Sequence, residues 1–376
     1  MENSKRKVIR VESEFRVVWA ESLTRFCEQV FEKVEVPAKD AHTASEVLVL
    51  ADLRGVESHG VARLRRYYNG IKTGVMIPRP EVKVVHETPL SALIDGGGAL
   101  GQVGGKKGMD LAIEKARKSG FGFVAVKNSN HYGIAAYYSL MALKHDLIGI
   151  SLTNSDAYVV PTFGRTVMLG TNPISVAVPA MEEKPYVLDM STAVATLGKL
   201  EVYARMGKKI PQGWAVDETG RSCDDPARVL NNIKAKIGGG LLPLGGLGED
   251  FGGHKGYGLD LLVDIFSGVL SGSANTSLLY PKTADGKPLP SLVGHFFGAM
   301  RVDFFRPAEG FKRDMDDMIR RLRNSPKAEG CDRLYIHGEK EFELEEKYRE
   351  EGIPLYFKVY DDLKAIGGEV GVPFNL

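Results

Sequence analysis

The chain has 376 residues, longer than one average domain, with 43% hydrophobic and 26% charged residues, as in ordinary globular proteins. Its net charge of +1 gives no attraction for nucleic acid or an anionic membrane, and no apolar run approaches the roughly 20 residues of a membrane span. The three cysteines, Cys27, Cys223 and Cys331, form no CxxC pair, which argues against a disulfide framework or a zinc knuckle and fits a reducing cytoplasm.

The start, Met1 to Arg10, is polar and basic and shows no secretory signal. Residues 13–72 then read as helical. Phe15, Val18, Leu23, Phe26, Val30 and Phe31 recur at three- and four-residue spacing until Val36-Pro37-Ala38-Lys39-Asp40 breaks the pattern. A second helix is predicted from about Ala38 to Val56, and a third from near Ser58. On that third helix His59, Arg63 and Tyr67 stand at i, i+4 and i+8. Residues four apart share a helix face, so a base, a guanidinium fork and a phenol can point into one cleft. Such a set suits a small hydroxy acid. Arg65 and Arg66 leave a merely basic, solvated face as the alternative.

Gly74 to Pro80 reads as a linker, followed by strands over Val82 to Val85 and Ser91 to Asp95. Gly96-Gly97-Gly98-Ala99-Leu100-Gly101 matches GxGxxG and precedes a helix over Lys106 to Lys118. A Rossmann fingerprint needs a ribose-binding acid about 20 residues on, and Phe121 to Lys127 contains none. These glycines are expected to allow close backbone approach, not to hold a dinucleotide. The next strand, Phe121 to Val126, delivers Asn128, Asn130 and His131 to a turn before a run of helix formers. Strand ends of this kind open into ligand crevices, and histidine titrates near neutrality. A histidine that merely satisfies the turn is the bland alternative.

Further strands are predicted over Leu147 to Asn154, Ser175 to Val178 and Tyr186 to Ser191. Three strand ends thus carry polar clusters, Asn128–His131, Asn154–Asp156 and Asp189–Thr192, which suggests a shared rim. Gly245 to Gly258, with His254 and Lys255, leads into a helix over Leu259 to Leu270. Open backbone amides, a helix start and a cation suit a pyrophosphate. The absence of GxxxxGK[ST] argues against a nucleotide hydrolase. A loop over 271–290, a helix from Gly310 to Arg323, a strand-like Arg333 to Ile336 and a charged helix from Lys340 to Glu350 complete the chain.

The segments Glu57–Tyr67, Asn128–Gly133, Leu169–Pro173, Leu188–Thr192, His254–Leu259 and His337–Glu341 together resemble the type-2 malate/L-lactate dehydrogenase family. The likeness covers nearly the whole chain, and residues 154–161 and 337–341 are most similar to the archaeal malate dehydrogenase branch. The resemblance implies an α/β (α+β) fold of the sulfolactate dehydrogenase type. That is a non-Rossmann NAD(P)-binding fold, with a mixed sheet and an N-terminal helical subdomain. It places that subdomain at 1–80, joined by 345–376, and the cofactor-binding and catalytic region at 81–344.

It also implies reversible hydride transfer between malate and oxaloacetate with NAD or NADP and no metal, in a cytoplasmic homodimer with the site near the subunit interface. By position His131 resembles the general acid/base, with His59 as its competitor, and Asp156 the group that orients a catalytic histidine. Arg63, Tyr67 and Asn172 resemble substrate groups. Ser155, Asp189, Met190, Ser191, Thr192, His254, Lys255, His337, Gly338 and Glu339 resemble cofactor contacts. Arg165 stands where many relatives have a glycine and leaves substrate and cofactor preference open. The alternatives are a dehydrogenase for another 2-hydroxy acid (lactate, sulfolactate or ureidoglycolate) and a non-catalytic nucleotide-binding regulator. Retention of both histidines favours an enzyme.

Overall fold

The computed structural model describes residues 14–376 and is built on a seven-stranded mixed sheet. In spatial order the strands are Lys83–Glu87, Ser91–Asp95, Phe121–Ser129, Val293–Arg301, Leu147–Thr153, Ile174–Val178 and Tyr186–Met190. Ser91–Asp95 and Phe121–Ser129 run parallel, joined through the helix Gly101–Ser119, and every other pair of neighbours is antiparallel. An antiparallel centre is not a Rossmann sheet, in keeping with the missing ribose acid.

Register puts the polar strand ends on one edge. Ser129 pairs with Val293 and Thr153 with His295, while Ile174 sits between Leu152 and Met190. The shared rim expected from the sequence is therefore present. The glycine run braces it. Gly96 donates its N–H to the Lys127 carbonyl and Gly98 to that of Asn128, each at 2.8 Å. A Cβ on Gly101 would lie 2.1 Å from the Asn130 carbonyl oxygen, so only glycine lets this helix start meet the loop that carries His131.

One sheet face packs Ile94, Val124, Val126 and Phe297 against Met109, Tyr132 and Tyr138 under the helices Gly101–Ser119 and Ala136–Leu143. The other is crossed by the helix Gly253–Asp264, which runs on through a π-turn at Ile265–Val269 and sets Phe266 edge-on to Phe296, centroids 4.9 Å apart. A separate core of Leu23, Phe26, Val30, Phe31, Leu48 and Leu64 in the N-terminal helices also contains Ile353, Leu355, Leu363 and Ile366 from the far end of the chain.

Some elements differ from expectation. Phe15–Val18 is a strand paired with Ile353–Tyr356, and the first helix begins only at Ala20. Its Phe-Arg-Val-Val sequence favours a strand once a partner is supplied from 340 residues away, which no local pattern shows. The stretch Met1–Arg10 lies outside the described residues. Val293–Arg301, unassigned from sequence, is the middle strand, and its glycines hide the alternation. Arg333 to Ile336 forms no strand. Cys27 and Cys223 are buried thiols and Cys331 is exposed, none of them in a disulfide. Among the described residues no helix is long and apolar enough to cross a membrane.

Candidate active site

His131 lies two residues beyond the strand Phe121–Ser129, and its loop is pinned by the intervening Asn130, whose buried amide donates to the carbonyls of Gly98 (3.1 Å) and Ala99 (2.8 Å). The Nδ1 of His131 lies 2.6 Å from the Tyr67 hydroxyl, and the Gly133 N–H approaches the same nitrogen at 3.4 Å. The His59 ring stacks on His131 with centroids 5.4 Å apart and planes 22° from parallel. His131 therefore meets Tyr67, 64 residues earlier in the chain, and His59 at one place.

The route to that cleft differs from the expected continuous helix. Glu57–His59 and Val61–Arg63 are separate 3₁₀ turns, and the α-helix spans Leu64–Lys72. Gly60 breaks the run with extended backbone (φ −80°, ψ −153°). The cause is Asp52, buried at 3% exposure, whose carboxylate accepts from the Val61 N–H at 2.8 Å. A Cβ on Gly60 would fall 1.9 Å from Asp52 Oδ1, so the turn and the carboxyl require each other. His59 and Tyr67 converge by this turn, not by an i, i+8 stripe.

Both histidines are held neutral. Burial, then the Arg63 and Arg66 guanidiniums, bring His59 down to about 4. His131 lies well below the usual histidine value through burial first, then Arg66, His59 and Arg63. Tyr67, fully buried, is pushed up by burial and keeps its proton. Arg63 lies at the mouth and donates from Nε to the Ser58 carbonyl at 2.6 Å. Arg66, set aside in the sequence as part of a solvated face, donates to the Tyr280 hydroxyl at 3.2 Å.

Asp156 does not reach either histidine by a hydrogen bond. Its carboxylate accepts from the Tyr158 hydroxyl at 2.9 Å and the Ala157 N–H at 3.0 Å. The side chain hydrogen-bonded to His131 is that of Tyr67. Asn172 is likewise spent on structure. Its Oδ1 accepts from the Ser155 N–H at 2.9 Å, and its Nδ2 donates to Asp260 Oδ1 at 2.5 Å. With 1% exposure and both amide ends engaged, it is placed as a brace behind the rim and not as a substrate group.

Of the residues expected around a cofactor, Ser155, Met190, Ser191 and Thr192 follow or end the rim strands. Ser155 Oγ accepts from the Thr171 N–H at 2.9 Å, Ser191 donates to the Thr171 carbonyl at 2.9 Å, and Thr192 donates to the Asn172 carbonyl at 3.0 Å. Asp189 accepts from the Ala136 N–H at 2.8 Å, tying the rim to the helix after His131. His254 and Lys255 lie exposed in the first turn of Gly253–Asp264. His337 is packed beside Tyr186 at 5.7 Å, and Gly338 (φ +98°) leaves no room for a Cβ beside Val187. Glu339 is buried and paired with Arg323 at 2.5 Å and Arg333 at 3.2 Å, which ties its segment together.

Sequence reasoning missed Arg66, Tyr280, Gln102 and Asp260. Gln102 is fully buried beside the Tyr67 hydroxyl. Asp260 is pushed up to about 8 by burial. Arg66 stands beside Arg65 in one basic run, and nothing local separates the two. The others are single residues in unremarkable contexts. A separate groove of about 920 Å³, lined by Arg54, Lys106, Tyr137, Phe342 and others, lies away from the histidines. Its charges neutralise one another, as in Arg54–Glu345 at 2.9 Å and Lys106–Asp110 at 2.8 Å. No group of three His, Cys, Asp or Glu side chains among the described residues is arranged to hold a metal ion.

Residues 18–364 match a protein family described as malate/L-lactate dehydrogenase. The malate dehydrogenase of Pyrococcus abyssi is 49% identical over 352 residues, 94% of each chain. Among solved structures, malate dehydrogenase from Pyrococcus horikoshii superposes with a TM-score of 0.86 at 43% identity, covering 96% of this chain and 97% of that one. Sulfolactate dehydrogenase from Methanocaldococcus jannaschii gives 0.84 at 37%, covering 96% and 98%.

Proposed function

Because the chain belongs to the malate/L-lactate dehydrogenase family, we propose that this oxidoreductase interconverts malate and oxaloacetate with NAD or NADP. The observation that carries the reading is the neutral His131 held by Tyr67 at 2.6 Å, next to two arginines that face no carboxylate among the described residues. A bound nicotinamide supplies the hydride acceptor or donor. The chain's own residues handle the proton and the anion.

In the oxidation direction His131 takes the tautomer in which Nδ1–H is donated to the Tyr67 oxygen. Nε2, which has no hydrogen-bond partner among the described residues, then receives the hydroxyl proton. The imidazolium so formed sits beside Arg63 and Arg66, which oppose it. A bound carboxylate offsets that repulsion, so the base gains strength when substrate is in place. Arg63 keeps its terminal nitrogens for a bidentate grip on that carboxylate. His59, stacked on His131, is the second candidate for the proton.

The residues present fit a nicotinamide dinucleotide. Lys255 is exposed, with no carboxylate partner among the described residues, at the start of a helix whose first N–H groups favour an anion. The Ser155 and Met190–Thr192 rim offers small polar groups on the edge where His131 emerges. The reading includes a cytoplasmic homodimer with the site near the interface. Its support is a stripe of Leu259, Leu262, Ile265, Phe266, Val269 and Leu270, all exposed on one helix.

The test is absorbance of the reduced nicotinamide with malate, lactate and sulfolactate, each with NAD and with NADP. Malate is expected to give the highest kcat/KM. Preference for lactate overturns the substrate, and no turnover with any pair favours the regulatory alternative. His131→Ala should lower turnover by roughly 10²–10⁴-fold, the scale of lost acid–base catalysis, with cofactor affinity unchanged. If His59→Ala alone abolishes turnover, the roles are exchanged.

A further inference from the structure

We propose that Arg66 is the specificity-determining residue of this site, binding a second anionic group on the substrate. The site then takes 2-hydroxy acids that carry two anions, a carboxylate at the reacting end and a carboxylate or sulfonate beyond it. The proposal rests on the 2-hydroxy acid dehydrogenase reading above and deepens it.

Three arginines lie in and beside the helix Leu64–Lys72, and their surroundings differ. Arg65 turns away and is neutralised twice, by Asp362 at 2.7 Å and Glu369 at 2.6 Å. Arg63 and Arg66 have no such partner among the described residues. Arg63 meets a backbone carbonyl, and Arg66 meets the Tyr280 phenol with Tyr67 and Tyr158 close by. Phenols orient a guanidinium without cancelling its charge. Of the two acids of this rim, Asp156 is turned to Tyr158 and its own loop, and Asp189 accepts from the Ala136 N–H.

Both cations act on both histidines. After burial, Arg63 acts most strongly on His59, whereas Arg66 acts most strongly on His131. Two like charges at one cleft repel each other. A monoanion compensates one and leaves the other exposed to that repulsion, while a dianion spanning the stack compensates both. With Arg63 on the carboxylate next to the hydroxyl, Arg66 remains for the distal anion. Tyr280 brings the 271–290 segment into the same contact.

Steady-state kinetics of the wild type, Arg66→Gln and Arg66→Lys with malate and with lactate, at saturating cofactor, tests this. Arg66→Gln should lower kcat/KM for malate about 10–100-fold, mostly through KM, the scale of a lost charged hydrogen bond. Lactate makes no contact there and shares with malate only the changed charge beside His131, so its kcat/KM should fall at least about tenfold less than that of malate. Arg66→Lys keeps a point charge without the fork and should fall between them. Melting temperature and cofactor affinity, read by nicotinamide fluorescence, should stay at wild-type values. Equal losses with both acids, or no loss with either, overturn the proposal. Failure of the wild type to use malate overturns the parent reading instead, so the two failures are separable.

Discussion

Asp52 illustrates how one buried carboxyl shapes the turn that presents His59. It accepts the Val61 N–H at 2.8 Å and leaves space only for glycine at position 60. Burial pushes its pKa up to about 8, partly opposed by that hydrogen bond. A carboxyl whose folded pKa exceeds its unfolded value of about 3.9 binds a proton more tightly when folded. Its contribution is therefore fully present below about pH 4 and is lost as pH rises toward 8. Asp52→Asn should remove that dependence, so the melting temperature of the variant gains on the wild type between pH 5 and pH 8. A gap that is the same at both pH values would mean the carboxyl titrates alike in the folded and unfolded states. At this scale the sequence pointed to His59, Arg63, Tyr67 and His131 by residue type, while the helical spacing invoked for the first three is broken at Gly60. It passed over Arg66, whose distinction from Arg65 lies in carboxylates 297 and 304 residues away.

Among elements, the rim was legible and the helix stripe was not. Strand ends are marked by a local change from apolar to polar residues, and their common edge then follows from parallel placement of Phe121–Ser129 and Leu147–Thr153 about Val293–Arg301. The break at Gly60 depends on a carboxylate in the preceding helix, and no local periodicity encodes it. The same holds for Phe15–Val18, which is a strand only because Ile353–Tyr356 lies beside it. The helix after Gly253 poses a different question, since Leu262, Ile265 and Val269 are 42%, 50% and 58% exposed on one side. A solvated helix seldom carries such a row. If a second copy covers it, Leu262→Asp with Val269→Asp should convert the dimer to a monomer in analytical ultracentrifugation without loss of helical circular dichroism. A wild type that is already monomeric at micromolar concentration sinks the homodimer reading.

At the scale of the molecule, resemblance carried further than pattern, since the family's motifs run through nearly the whole chain while its topology joins distant segments. We propose that the N-terminal helices and the C-terminal residues 345–376 act as one unit that carries His59, Arg63, Arg66 and Tyr67, while the sheet carries His131 and the cofactor rim. Ile366 and Leu363, at 0% and 1% exposure, pack the C-terminal helix Phe357–Val370 into the core shared with Phe26, Phe31 and Leu48. Removing a buried isoleucine side chain to alanine costs about 2–5 kcal/mol, transfer and cavity terms together. Ile366→Ala should therefore lower the melting temperature by several degrees. Below that transition the loosened layer should affect the substrate first, because its arginines and Tyr67 shift relative to a sheet that has not changed. The malate KM should rise while the cofactor dissociation constant, titrated by nicotinamide fluorescence, stays within about twofold, as expected for sites in separate cooperative units. A fall in cofactor affinity in step with the rise in KM would show that helices and sheet respond as one body, and the division would have no functional meaning.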